Sequence, residues 1–121
     1  MIQIVPLAEN DRNALRALEL FCMRECLEPS MTTKWEELSP DLLDQLGATS
    51  KLSFDHYRES GLSFAAKEDD IVVGFVFAQM VEHVFNVPKM VWVESFGVHP
   101  SHRRKSIAYQ MLKRVILEGR K

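Results

Sequence analysis

Cysteine is scarce in this sequence of 121 residues: it has two, Cys22 and Cys26, about one helical turn apart. A structural zinc site takes four ligands, and no second pair of ligand-type residues lies near these two. The pattern predicts reduced structural thiols and no metal. No apolar run approaches the roughly 20 residues that span a bilayer. The N-terminal stretch lacks the apolar segment of a secretion signal. A cytoplasmic protein with no membrane attachment is expected. A strong excess of one charge is also missing. The formal net charge of −2 supplies no general attraction to nucleic acid or to anionic lipid, and aromatics do not interleave with the basic residues. No repeat, low-complexity tract or linker divides the sequence, so one domain with one core is expected over residues 1–121.

What is present is an ordinary globular composition with one local peculiarity. Hydrophobic residues make up 46% and charged residues 26%, the proportions of a folded soluble domain. The basic residues gather toward one end of the sequence. His102, Arg103, Arg104 and Lys105 sit together, and Lys113, Arg114, Arg120 and Lys121 follow.

The alternation in Ile2 to Leu7 predicts a strand, with Pro6 at its end or edge. Asn10 and Asp11 are placed to cap a helix running to about residue 26, whose inner face carries Ala14, Leu15, Leu18, Phe21 and Cys22. Ser39-Pro40 is a capping hydroxyl followed by proline at the first helical position. It predicts a short helix with Leu42, Leu43 and Leu46 inward, stopped by Gly47. A second short helix is expected from Ser53 to Ser60, with Phe54 and Tyr57 inward and Gly61 as its stop. Strands follow. Leu62 to Lys67 and Ile71 to Glu82 flank the polar turn Glu68-Asp69-Asp70 and read as an antiparallel hairpin. Ile71 to Ala78 is apolar on both faces, the mark of a central strand covered by helices on both sides. Asn86-Val87-Pro88 is expected to turn the chain into a third strand, Lys89 to Val98. After His99 to His102, a helix buries Ile107, Ala108, Met111, Leu112, Val115 and Ile116 on one face. The resulting fold class is α/β: a mixed, mainly antiparallel sheet with helices on both faces.

The chemistry lies where the last strand passes into the last helix. A helix N-terminus offers unpartnered N–H groups and the positive end of its dipole, and so receives a phosphate or pyrophosphate. Arg103-Arg104-Lys105-Ser106-Ile107-Ala108 is expected to open that helix, with small residues at Ser106 and Ala108 and three cations for charge-assisted hydrogen bonds. Basic residues there oppose the dipole, which a merely solvated turn has no reason to choose.

The stretch Val93-Glu94-Ser95-Phe96-Gly97-Val98-His99-Pro100-Ser101-His102-Arg103-Arg104-Lys105-Ser106-Ile107-Ala108 resembles the acetyl-CoA signature of the GNAT superfamily of N-acetyltransferases, (Gln or Arg)-x-x-Gly-x-(Gly or Ala) after an apolar strand. The hairpin with Val73-Gly74-Phe75, the opening strand and the capped helix resemble the same family, in the same order. Ser106 departs from the pattern by standing where the family has glycine. The family's fold also continues beyond this helix with a strand, a helix and a terminal hairpin, a part that commonly supplies a tyrosine to protonate the departing thiolate, whereas this sequence stops at Lys121. The resemblance therefore implies a GNAT-like fold truncated at its C-terminus. The function it implies is transfer of an acetyl group from acetyl-CoA to an amine of a small molecule or protein.

The same resemblance implies the site residues. The backbone of Phe96, Gly97 and Val98 would pair with the pantetheine arm, and the N–H groups of Arg103 to Ala108 would hold the pyrophosphate. Glu94, read as sharing a strand face with Trp92, Phe96 and Val98, is the candidate general base. His83, His99 and His102 read as surface histidines, and Tyr57 and Tyr109 as packing residues. The alternative function is a CoA-binding or oligomerisation module without turnover. A third strand left at the sheet edge, with Val91, Trp92, Val93 and Phe96, leads to the expectation of a homodimer that buries it.

Overall fold

The computed structural model describes residues 1–121 except Phe85, and for His83, Val84 and Val87 it describes the backbone alone. A sheet of four strands in the order β1-β2-β3-β4 organises the chain. The strands are β1 (Ile2–Pro6), β2 (Phe64–Glu68), β3 (Ile71–Val84) and β4 (Val87–Val98). Each neighbouring pair is antiparallel, so the sheet is wholly antiparallel. The β2–β3 turn consists of Asp69 and Asp70, both with positive φ (51° and 67°). That is the pair of left-handed residues a two-residue hairpin needs to match strand twist, and aspartate accepts it more readily than most.

Among the described residues five α-helices accompany the sheet: α1 (Arg12–Leu27), α2 (Pro40–Leu46), α3 (Ala48–Lys51), α4 (Phe54–Ser60) and α5 (Ile107–Gly119). Alternation along β2 and β3 divides the core in two. Phe64, Ala66, Val76 and Ala78 face Ile107, Met111 and Val115 of α5. Ala65, Phe75 and Phe77 face Leu15 and Leu18 of α1 and Phe54 and Tyr57 of α4. β3 is thus buried on both sides, as its unbroken apolar run requires.

Local signals behave as read at several points. Ser39 Oγ accepts the Leu42 N–H at 3.2 Å, with Pro40 at the first position of α2. Gly61 ends α4 in the left-handed region. Others need correction. Asp11 does not cap α1. Its carboxylate is buried and takes the Lys67 ammonium at 3.1 Å, because a charge so enclosed needs an opposite charge more than the helix needs a cap. Phe21 and Ala14 are exposed rather than inward. Gly47 is followed at once by the single turn α3. Val87 and Pro88 belong to β4, with Val84 opposite Val87, so the turn is tighter than Asn86-Val87-Pro88 suggests. His83 lies in β3 instead of a turn, and its side chain falls outside the described residues.

Candidate active site

The end of β4, the connecting loop and the start of α5 enclose a cavity of about 480 Å³ lined by Phe96, Gly97, Val98, His102, Arg103, Arg104, Ser106, Ile107 and Ala108. Gly97 lets the strand end pack tightly here. A Cβ on it would lie 2.9 Å from Cys22 Sγ and 3.0 Å from the Phe75 ring, so α1 approaches the strand only because that atom is missing.

The loop does not open the helix at Arg103. Arg103 is extended, Arg104 is left-handed (φ 67°) and so is Ser106 (φ 63°), and α5 begins at Ile107. The helical range therefore starts several residues later than the spacing implied. Left-handed residues in such a loop are the kind that turn neighbouring N–H groups toward an anion, but the Arg103 N–H, expected among the pyrophosphate donors, is taken by Pro100 C=O at 3.4 Å. The N–H groups of Ile107 and Ala108, preceding the first helical bond from Gln110 N–H to Ser106 C=O, adjoin the cavity. Ser106 occupies the left-handed position itself, which explains why glycine suits it.

The cations divide by role. Arg103 is committed elsewhere. Its Nε donates to Val98 C=O at 2.9 Å, and its terminal nitrogens pair with both oxygens of Glu25 on α1. That hydrogen bond holds the Glu25 carboxyl below its usual range, and Glu25 in turn raises Arg103. Arg104 lines the cavity, whereas Lys105 lies outside its lining. Among the described residues neither of these two forms an ion pair, as the pairs of Arg103 and His102 show by contrast. His102 Nε2 meets Glu68 Oε1 at 3.1 Å, and this bond lowers the Glu68 carboxyl. His99 Nδ1 and His102 Nδ1 both reach Ser101 Oγ at 2.7 Å. The two histidines thus brace the loop. Tyr57 is buried in the core on α4, where burial raises its hydroxyl, and Tyr109 is exposed on α5.

Glu94 is placed differently from its expected face. Phe77 stands opposite Ser95 and Ala78 opposite Val93, so Glu94 is the extra residue of a β-bulge. Beyond the bulge Phe96 and Val98 stand opposite Val76 and Gly74, on the α5 side of the sheet. Glu94 instead lines a separate cavity of about 240 Å³ beneath α1, with Glu19, Met23, Gln45, Leu46, Ala48, Thr49 and Ser95. Period-two reasoning fails because a bulge shifts it by one. Trp92 stays with Glu94, donating its indole N–H to Glu94 Oε2 at 2.7 Å. Glu94 is exposed, open to a group arriving from the β4 edge.

Sequence reasoning missed Glu19. It is 2% exposed and accepts hydrogen bonds from Thr49 Oγ1, Ser50 N and Ser50 Oγ. The signal was available: Glu19 falls inside the apolar stripe of Leu15, Leu18 and Cys22, and a carboxyl there must find donors. Among the described residues, no group of three or more His, Cys, Asp or Glu side chains is arranged to hold a metal ion, and no helix is long and apolar enough to cross a membrane.

This architecture is GNAT-like, and solved acetyltransferases share it. A GNAT family acetyltransferase from Brucella melitensis in complex with acetyl-CoA aligns over 99% of this chain and 69% of its own, at 15% identity and a TM-score of 0.67. An acetyltransferase from Vibrio fischeri aligns over 99% and 86%, at 18% identity and a TM-score of 0.68. The aminoglycoside N-acetyltransferase AAC(6')-Iy in complex with CoA aligns over 98% and 69%, at 21% identity and a TM-score of 0.65. The chain belongs to the DUF1999 family, whose description is "protein of unknown function", and matches it over residues 3–121. No curated protein matches the sequence.

Proposed function

We propose that this chain is an acetyl-CoA-dependent N-acetyltransferase acting on an amine. The observation that carries the reading is the cavity at the end of β4, where the alternating-hand loop, the first N–H groups of α5 and Arg104 converge. Such a concavity suits a pyrophosphate. Among the described residues β4 is the last strand of the sheet, so its outer N–H and C=O groups have no strand partner there and, apart from Val98 C=O, which accepts from Arg103 Nε, are available to the amides of a pantetheine arm running from the loop toward Glu94. An acetyl thioester at the end of that arm would have its carbonyl oxygen near backbone N–H groups of Phe96 to Val98, which stabilise the oxyanion as it forms.

In this reaction the amine nitrogen forms a bond to the thioester carbonyl carbon and the C–S bond breaks. Glu94, directly or through water, takes the proton that the ammonium must lose before it attacks, and the second N–H proton leaves the tetrahedral adduct to solvent. CoA leaves as thiolate and is protonated by solvent. The solved structures with CoA or acetyl-CoA bound support the cofactor assignment through shared fold. Calorimetric titration with CoA and a thiol-release assay over a panel of amines test the reading. Binding with turnover is expected. Binding without turnover on any amine would favour a CoA-holding module, and absence of binding would overturn the assignment.

A further inference from the structure

The cavity beneath α1 lies next to a second, apolar one. It shares Leu46 with a neighbouring groove of about 380 Å³ lined by Leu27, Ser30, Met31, Thr32, Thr33, Leu38, Leu42 and Leu46. The two ends differ sharply in chemistry. The inner one presents the carboxyl groups of Glu19 and Glu94 together with Thr49 and Gln45, and no cation lines it. Among the described residues, none that lines the outer one is charged. Leu27 and Leu42 are 38% and 40% exposed, so hydrocarbon stands open to solvent along the groove. Glu19 is saturated by its hydrogen bonds to Thr49 and Ser50, which leaves Glu94 as the carboxyl able to meet a ligand.

Resting on the acetyltransferase reading, we propose that the acceptor is a primary amine on an uncharged apolar body, its ammonium at Glu94 and its body along Leu46, Leu42, Leu38 and Leu27. Charge and burial both select for this class. An acceptor with a carboxylate near its amine would bring like charge against Glu19 and Glu94. A polyamine or aminoglycoside would lay a second cation on hydrocarbon, losing hydration without a partner. Each methylene that reaches the groove should raise kcat/KM about fourfold, from the transfer free energy of a buried CH₂.

The test uses two independent readouts on the whole protein. In thiol release, kcat/KM is compared for propylamine, hexylamine, 6-aminohexanoate and spermidine. In a separate titration without cofactor, amide resonances are followed with hexylamine and with hexanol. Hexylamine is expected to exceed propylamine and spermidine at least tenfold in kcat/KM and to shift the amides of Leu42, Leu46 and Glu94, whereas hexanol at equal concentration shifts Leu42 and Leu46 but not Glu94. Leu42→Ser, at an already exposed position, should raise the KM for hexylamine about fivefold and so narrow the hexylamine-to-propylamine ratio of kcat/KM. Spermidine or 6-aminohexanoate matching hexylamine, or shifts confined to another surface, would overturn the proposal. Absence of thiol release with every amine would count against the acetyltransferase reading alone, because the titration still decides what the groove binds.

Discussion

Ser106→Gly isolates the conformational demand of the proposed phosphate loop from its charge. Ser106 sits at φ 63° and ψ 18° and its side chain makes no capping hydrogen bond, so the substitution removes a strained Cβ and forfeits no bond. A left-handed conformation costs an ordinary residue about 1–2 kcal/mol, while the greater freedom of glycine in the unfolded chain returns about 0.5–1 kcal/mol of that. The net expectation is stabilisation by about 0.5–1 kcal/mol, a rise in Tm of roughly 2–5 °C for a domain of this size. Affinity for CoA should hold or improve, because a side chain lining the proposed pyrophosphate cavity has gone. Ser106→Ala is the control, since it keeps the strain and loses only the hydroxyl. Urea unfolding and calorimetric titration of the three proteins give the numbers. A fall in CoA affinity of tenfold or more in both variants, with folding intact, would show the hydroxyl to be a ligand and refute the argument.

Gly97→Ala should do the reverse at the other side of the cavity, because its Cβ would sit 2.9 Å from Cys22 Sγ. Overpacking of that kind costs about 1–3 kcal/mol, readable as a lower urea midpoint. Acid should destabilise the protein through depressed carboxyls, among them Glu25 beside Arg103, Glu68 beside His102 and Asp44 beside Lys51. A folded-state pKa below the unfolded one gives stabilisation that is complete above about pH 5 and lost as pH falls through the lowered values. Glu25→Gln should make that loss shallower in a thermal-melt series against pH. The β4 edge, with Phe96 51% exposed, should associate with a second copy. Light scattering over a concentration series checks this, and a monomer at every concentration, with slowly exchanging amides over residues 89–98, would refute it.

The legible parts of this molecule are the local ones. The α5 stripe of Ile107, Met111 and Val115, the doubly buried β3 and the Ser39-Pro40 cap each follow from a few adjacent residues. The residues around the large cavity were legible for the same reason, being one strand end and one loop. What escaped is built from distant partners. Nothing near Arg103 signals that its guanidinium joins Glu25 on α1, or that Lys67 claims Asp11 from the helix it was expected to cap. The bulge at Glu94 was hidden because it is defined by what stands opposite, on β3. One unseen residue moved the candidate base from one side of the sheet to the other.

Cys22 and Cys26 together give the protein a built-in chemical clock. Cys22 is wedged over Gly97, and burial raises its thiol, whereas Cys26, one turn along α1, is exposed. Thiolates are what alkylating reagents capture, so Cys26 reacts at the pace of the reagent, while Cys22, partly buried with its thiol raised, reacts more slowly and speeds up whenever α1 lifts from the strand. The ratio of the two rates, read in one tube by mass, meters how often the seam between helix and strand opens. Anything that clamps the strand end slows one hand of this clock and leaves the other running.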